Sequence, residues 1–322
     1  MLNDTNYTQS LENSIFLVIQ FSLVTLTLVS NITLVVIIAF SKNLHDLSYN
    51  FIINISISDI IASIIQYTYN ITAIPTVSMS TPVGAVVCRL AYGLSVVLTN
   101  TSIASLTMIS IHRLKIVTCP LTFRSTIIFK HCTKFIILSW LMSAVFAIPA
   151  FLTGAYNPTT KSCDLSFRYG SIFSVVYFSA TLLFIYLIPG IIMLRNYRRI
   201  TICLSSQISG NTAIAHDREA SINRTRSVIR VFIIATLAQT LLTLPHVVSV
   251  LTYSILNQNQ FQLLFHDPKF LVILLFSFAI NIASYLVNPF MFLVFDKNVK
   301  IAAHDLYLRI YDSCSNNMKS SK

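Results

Sequence analysis

Seven long apolar stretches set the possible folds of this chain: Ile15 to Phe40, Phe51 to Ala73, Leu90 to Ile111, Phe135 to Ala155, Ser171 to Leu194, Val231 to Ile255 and Phe270 to Phe295. Each has the roughly 20 residues that a helix needs to cross about 30 Å of hydrocarbon. Within them Asp59 is the one carboxylate, and no Lys or Arg occurs. A charge at mid-bilayer costs about 2.5 kcal/mol or more, so a chain keeps one where it has partners and a use. Composition agrees, with 55% apolar residues, 10% charged residues and a mean hydropathy of +0.72. The expected fold is an all-α membrane protein, a seven-transmembrane helix bundle.

Lys and Arg set its orientation. With the N-terminus outside, the inner segments hold 18 of the 22 basic residues, and only Arg89, Lys161, Arg168 and Lys269 face outward. Such asymmetry is the positive-inside pattern. The net charge of +11 is then a topology determinant that also meets anionic inner-leaflet lipid, and nucleic acid is not an expected partner. The expected organisation is an outer tail over residues 1–14, a membrane domain over 15–311 and an inner tail over 312–322. The first apolar run is too long for the core of a cleaved leader and is read as an anchor. Asn3 and Asn6 head glycosylation sequons in the outer tail.

The longest inner segment, Asn196 to Ser227, is read as a solvated loop that is also a docking surface for a cytosolic partner. Past the last span, Phe295, Val299, Ala303, Leu306 and Ile310 share one helical face, with Lys297, Lys300 and Arg309 off it. That pattern predicts a short amphipathic helix in the inner interface, with Cys314 beyond it as either a palmitoylation site or a plain thiol. Cys88 and Cys163 both fall on the oxidising face, where a bridge can form and persist. Pro189, Pro245 and Pro289 each free a carbonyl inside a span and mark places where helices pivot or are statically kinked. Asn31, Asp59 and Asn288 are polar side chains at mid-depth, most cheaply buried against one another.

In this order the residues resemble those of rhodopsin-like (class A) G-protein-coupled receptors, over Ser30 to Arg309. Ser30-Asn31 with Leu34-Val35-Val36 is similar to the family's pattern in span one, and Asn54 with Ser58-Asp59 to that in span two. Cys88 opens span three and Ile111-His112-Arg113-Leu114 closes it, 25 residues from cysteine to arginine, with Pro120-Leu121 following. Trp140 falls in span four, Pro189 precedes Tyr197 by eight residues, Pro245 lies in span six, and Asn288-Pro289-Phe290-Met291-Phe292 ends span seven. The resemblance implies a receptor that couples an extracellular ligand to a heterotrimeric G protein at the plasma membrane. Arg113, Leu121 and Tyr197 would serve coupling, and Asn31, Asp59, Ser102, Pro245, Asn288 and Pro289 the hinge and polar core. A sodium ion can sit at Asp59 in this family, with Ser102 and Ser284 contributing, but Tyr285 stands where a small serine is usual.

The departures from the family are specific. His112 replaces the carboxylate that would pair with Arg113, which predicts a looser resting state with raised basal signalling. Leu114 and Phe292 replace tyrosines. Span six lacks the tryptophan two before Pro245, and Gln239 stands where an aromatic is usual. Ser95 replaces the aspartate of amine receptors, and no lysine lies between Lys269 and Lys297 to carry retinal.

Tyr92, Ser95, His246 and Tyr253 are the expected ligand contacts, with Arg168, Asp267 and Lys269 at the rim, and a peptide is the favoured ligand because the rim offers charges and the depth does not. A small-molecule chemosensory receptor is the alternative, as is a non-receptor seven-span transporter using Asp59. No phosphate loop, His-Glu-x-x-His or Gly-x-Ser-x-Gly motif is present, so no enzyme, cofactor or resident metal is expected.

Overall fold

The computed structural model describes residues 2–42, 44, 47–72, 79–119, 131–159, 162–165, 170–206, 214–256 and 268–320. Apolar length becomes helix in every predicted stretch, since a helix satisfies all its own backbone groups where no water is available. The helices are α1 (Leu2–Phe40), α2 (Leu47–Thr72), α3 (Thr81–Thr118), α4 (Cys132–Thr153), α5 (Ser171–Ser206), α6 (Ile214–Leu256), α7 (Pro268–Phe295) and α8 (Lys297–Ser320). Among the described residues six helices are long and apolar enough to cross a membrane, and Ala279–Phe295 of α7 makes a seventh when joined to Lys297–Arg309 of α8 across a 79° bend. Large side chains such as Leu141, Val145, Ile172 and Leu241 are more than 60% exposed on the bundle's outside, the surface that lipid covers.

Neighbour packs on neighbour from α1 to α4, α5 joins α6, α6 joins α7, and α7 returns to α1, which closes the ring. Helix α3 crosses the middle, touching α2, α4 and α5. Close approach there depends on missing side chains. A β-carbon at Gly93 would fall on the Phe151 ring, and one at Gly84 on the Tyr156 ring.

Four boundaries differ from expectation. Span four stops at Thr153 instead of running to Ala155, because Gly154–Asn157 leaves the helix as β1 and pairs antiparallel with β2 (Ser162–Leu165), Tyr156 opposite Cys163. Cys163 is bonded to Cys88 near the start of α3, so the hairpin is held against the bundle mouth. The supposed loop from Asn196 to Ser227 is largely helical, since α5 continues to Ser206 and α6 begins at Ile214. No Gly or Pro interrupts Ile191–Ser206. Helix α1 begins at Leu2, so residues 2–14, expected as a tail, are helical. Finally, α8 extends to Ser320, past the expected end at 311.

Helix α8 starts sharply because Asp296 caps it. The backbone N–H groups of Asn298 and Val299 donate to Asp296 Oδ1 at 2.9 and 3.4 Å, and Tyr49 of α2 donates to Oδ2 at 3.4 Å. Val299 and Ala302 are buried against the bundle, whereas Ile301, Tyr307 and Leu308 remain exposed. The side chain of Cys314 lies outside the described residues, as do those of Asn3 and Asn6.

Candidate functional site: a cavity, a polar core and a basic end

At the disulfide end, α2, α3, α4, α5, α6, α7 and the hairpin line a cavity of about 120 Å³. Tyr92, Ser95 and His246 line it, while Tyr253 is buried off its wall. The sequence did not reveal Tyr69, Tyr186 and Tyr285, which add three aromatic rings, nor Leu165, which roofs the cavity from β2. A π-helical turn at Leu182–Leu187 in α5 brings both Ile185 and Tyr186 to the wall. Arg168 and Asp267 lie outside the described residues, as does the Lys269 side chain.

Below the cavity the three mid-depth residues are buried together, though not as one mutual cluster. Asn288 Nδ2 donates to Asp59 Oδ2 at 3.3 Å and to Gln239 Oε1 at 3.4 Å, and Ser102 Oγ donates to Asp59 Oδ1 at 3.5 Å. The unusual Gln239 thus draws α6 into hydrogen bonds that already join α2, α3 and α7. Asn31 turns aside, giving Nδ2 to the backbone oxygen of Tyr285 at 3.2 Å and of Thr27 at 2.9 Å. Ser284 spends its hydroxyl on Asn281 O at 2.6 Å within α7. No group of three His, Cys, Asp or Glu residues gathers among the described residues.

A second polar clasp was not anticipated. Asn54 of α2 donates Nδ2 to Ser105 Oγ on α3 at 2.8 Å and accepts the Trp140 indole N–H from α4 at 3.0 Å. One amide therefore ties three helices, using both faces of its donor and acceptor set. Pro149, inside α4, is a further helix-interior proline that had not been singled out.

At the opposite, basic end, His112 turns its Nδ1 to Ser48 Oγ on α2 at 3.1 Å. Arg113 has its Cζ 5.1 Å from the centre of the Phe232 ring on α6, and Phe232 meets Phe292 of α7 edge-on with ring centres 5.2 Å apart. Both phenylalanines are fully buried. A guanidinium over an aromatic face is attracted by the ring quadrupole. Tyr197 of α5 is placed against α6 in this arrangement, its hydroxyl 3.5 Å from Thr236 Oγ1. Asn196 beside it donates to Ser110 Oγ of α3 at 3.0 Å. Leu121 lies outside the described residues.

A ring of membrane-crossing helices with a cavity at one end and an arginine between helices at the other defines a seven-helix membrane protein of receptor type. The sequence profile of the 7 transmembrane receptor (rhodopsin family) matches residues 30–292, and the chain belongs to that family. Among similar proteins, the muscarinic acetylcholine receptor M2 of Gallus gallus is 30% identical over 45% of this chain and 32% of its own length. The muscarinic acetylcholine receptor M4 of the same species is 27% identical over 63% of this chain and 41% of its own. The Gq-coupled rhodopsin of Mizuhopecten yessoensis is 29% identical over 52% and 34% respectively. The chain therefore aligns with well under half the length of these relatives.

Proposed function

We propose that this protein is a plasma-membrane receptor, its N-terminus and disulfide end outside, in which a ligand held in the cavity favours an open basic end that binds a heterotrimeric G protein. One observation carries the reading. Tyr285 on the cavity wall and Asn288 in the polar core lie one turn apart on α7, so whatever moves the wall acts on the helix that also holds Asp59 and Gln239. Pro289, next along, leaves α7 a place to bend, as Pro245 does in α6. Ligand and G protein then favour one state, and each tightens the other's binding.

In this reading Arg113 leaves Phe232 to meet the partner, Tyr197 turns to it, and Leu121 packs on the partner's surface. Asn3 and Asn6 carry glycans, and Cys314 a palmitoyl chain. The peptide expectation rests on rim residues outside the described set. The uncharged wall of the cavity favours a small molecule. Two relatives are named for acetylcholine, a cation, but Ser95 leaves α3 without an acid to meet one.

The test is ligand-free G-protein activation across subtypes, Gq first in view of the relative named as a Gq-coupled rhodopsin, comparing the native chain with Arg113→Ala at matched surface expression. A basal signal lost in the variant supports the reading. Silence in every subtype, persisting when candidate ligands are added, counts against coupling.

A further inference from the structure

The cavity at the disulfide end is lined, among the described residues, by uncharged side chains and His246. Among the described residues lining it there is no Asp, Glu, Lys or Arg, although it is rich in groups that form hydrogen bonds, including Gln66, Tyr69, Tyr92 and Asn281. Asp164, next to the lining residue Leu165, is buried and not on the wall, and its Oδ1 accepts the Leu165 backbone N–H at 2.7 Å. Ser95, where an acid would reach into the cavity from α3, donates instead to Ala91 O at 2.6 Å.

We infer that this cavity selects a compact, uncharged and largely apolar molecule that presents a hydrogen-bond acceptor, such as a carbonyl or ether oxygen, to Tyr92. The inference deepens the receptor reading and rests on it for the cavity's purpose. A charged ligand entering would lose its water with no opposite charge on the described wall to replace it, which burial makes unfavourable. The apolar body has Val96, Phe178, Ile185 and Val250 to lie against. The Tyr92 hydroxyl is buried with no hydrogen-bond partner among the described residues, and a phenol can donate as well as accept. A site whose polar groups need a partner discriminates more sharply than an apolar pocket does. His246 also lines the wall, and an imidazole N–H can donate to an anion, so an anion is the competing ligand class.

The test places a thiol on the wall of the full-length receptor in cells, as Ser95→Cys and separately Gln66→Cys. Each is treated with methanethiosulfonate reagents carrying an uncharged benzyl, a trimethylammonium or a sulfonate group. Rates are divided by those at Thr159→Cys, on the exposed hairpin turn, with the native chain as background. The uncharged reagent is expected to react at least about tenfold faster, on this relative scale, than either charged one. An uncharged reagent with an amide carbonyl should outpace its hydrocarbon counterpart, a difference that Tyr92→Phe removes. Equal or faster reaction of the cation or the anion overturns the inference, as does failure of every reagent at both positions. Basal G-protein activation and its loss in Arg113→Ala, read in the same cells, report separately on the receptor reading.

Discussion

Arg113 and Phe232 form a contact between α3 and α6 at the basic end, with the guanidinium carbon 5.1 Å from the ring centre. Phe232 in turn meets Phe292 of α7 edge-on. The histidine preceding Arg113 faces Ser48 of α2, so the arginine is held across the bundle by an aromatic ring. An aromatic contact of this kind contributes about 0.5 to 2 kcal/mol depending on how dry it is.

Phe232→Ala is expected to raise ligand-free G-protein activation about fivefold, the equivalent of about 1 kcal/mol removed from the closed state. Phe232→Trp, which keeps an aromatic face, should stay near the native level. Basal activation at matched surface expression decides it, and an unchanged signal in Phe232→Ala would show that this contact does not hold the closed state.

His112→Asp supplies a carboxylate next to Arg113 and should lower the basal signal below that of the native chain. Opposite charges a few ångströms apart attract, whereas an imidazole bonded to Ser48 carries no negative charge to hold Arg113. Should the ligand-free signal be the same in both proteins, the idea that His112 loosens the resting state is wrong.

Gln239 and Asn288 are expected to be energetically coupled, because one amide donates to the other's oxygen at 3.4 Å in a buried site. Gln239→Leu and Asn288→Ala should each lower the thermal stability of the purified receptor, and the loss in the double variant should fall short of their sum by about 1 kcal/mol. Strict additivity would mean that the bond contributes nothing.

Loss of the Cys88–Cys163 bridge, by Cys163→Ser, should reduce surface expression and lower stability by up to about 4 kcal/mol, the chain-entropy value for the 75-residue separation it spans. Leu165 would lose its anchor, so the cavity roof should loosen. Faster labelling of the Ser95→Cys thiol in that background would report this, and an unaltered rate would assign the roof's position to hairpin packing alone.

Much of this protein is decided by local sequence. The length of each apolar run demands a helix wherever water is absent, and Lys and Arg gather at one end of the bundle's segments. The Cys88–Cys163 pairing follows from both lying on one side. These are properties of single segments, so they are legible without knowing how the segments meet. Even there, the polar composition of Asn196 to Ser227 suggests a loop, whereas the absence of Gly and Pro up to Ser206 lets α5 continue to that residue.

Other relationships exist only after packing. That Gln239 bonds Asn288, that Asn54 clasps both Ser105 and Trp140, and that Tyr69, Tyr186 and Tyr285 share a wall depend on how each helix is rotated and how far it is displaced along its axis. A shift of one residue turns a side chain by about 100° around a helix of 3.6 residues per turn. Periodicity in these helices, most of whose faces are apolar, cannot specify that rotation. The sequence by itself determined a seven-helix membrane protein with its ionisable centre at Asp59. The tertiary structure alone decided that Arg113 rests on Phe232 and that the described wall of the cavity holds no Asp, Glu, Lys or Arg, because both depend on residues from different helices facing one another.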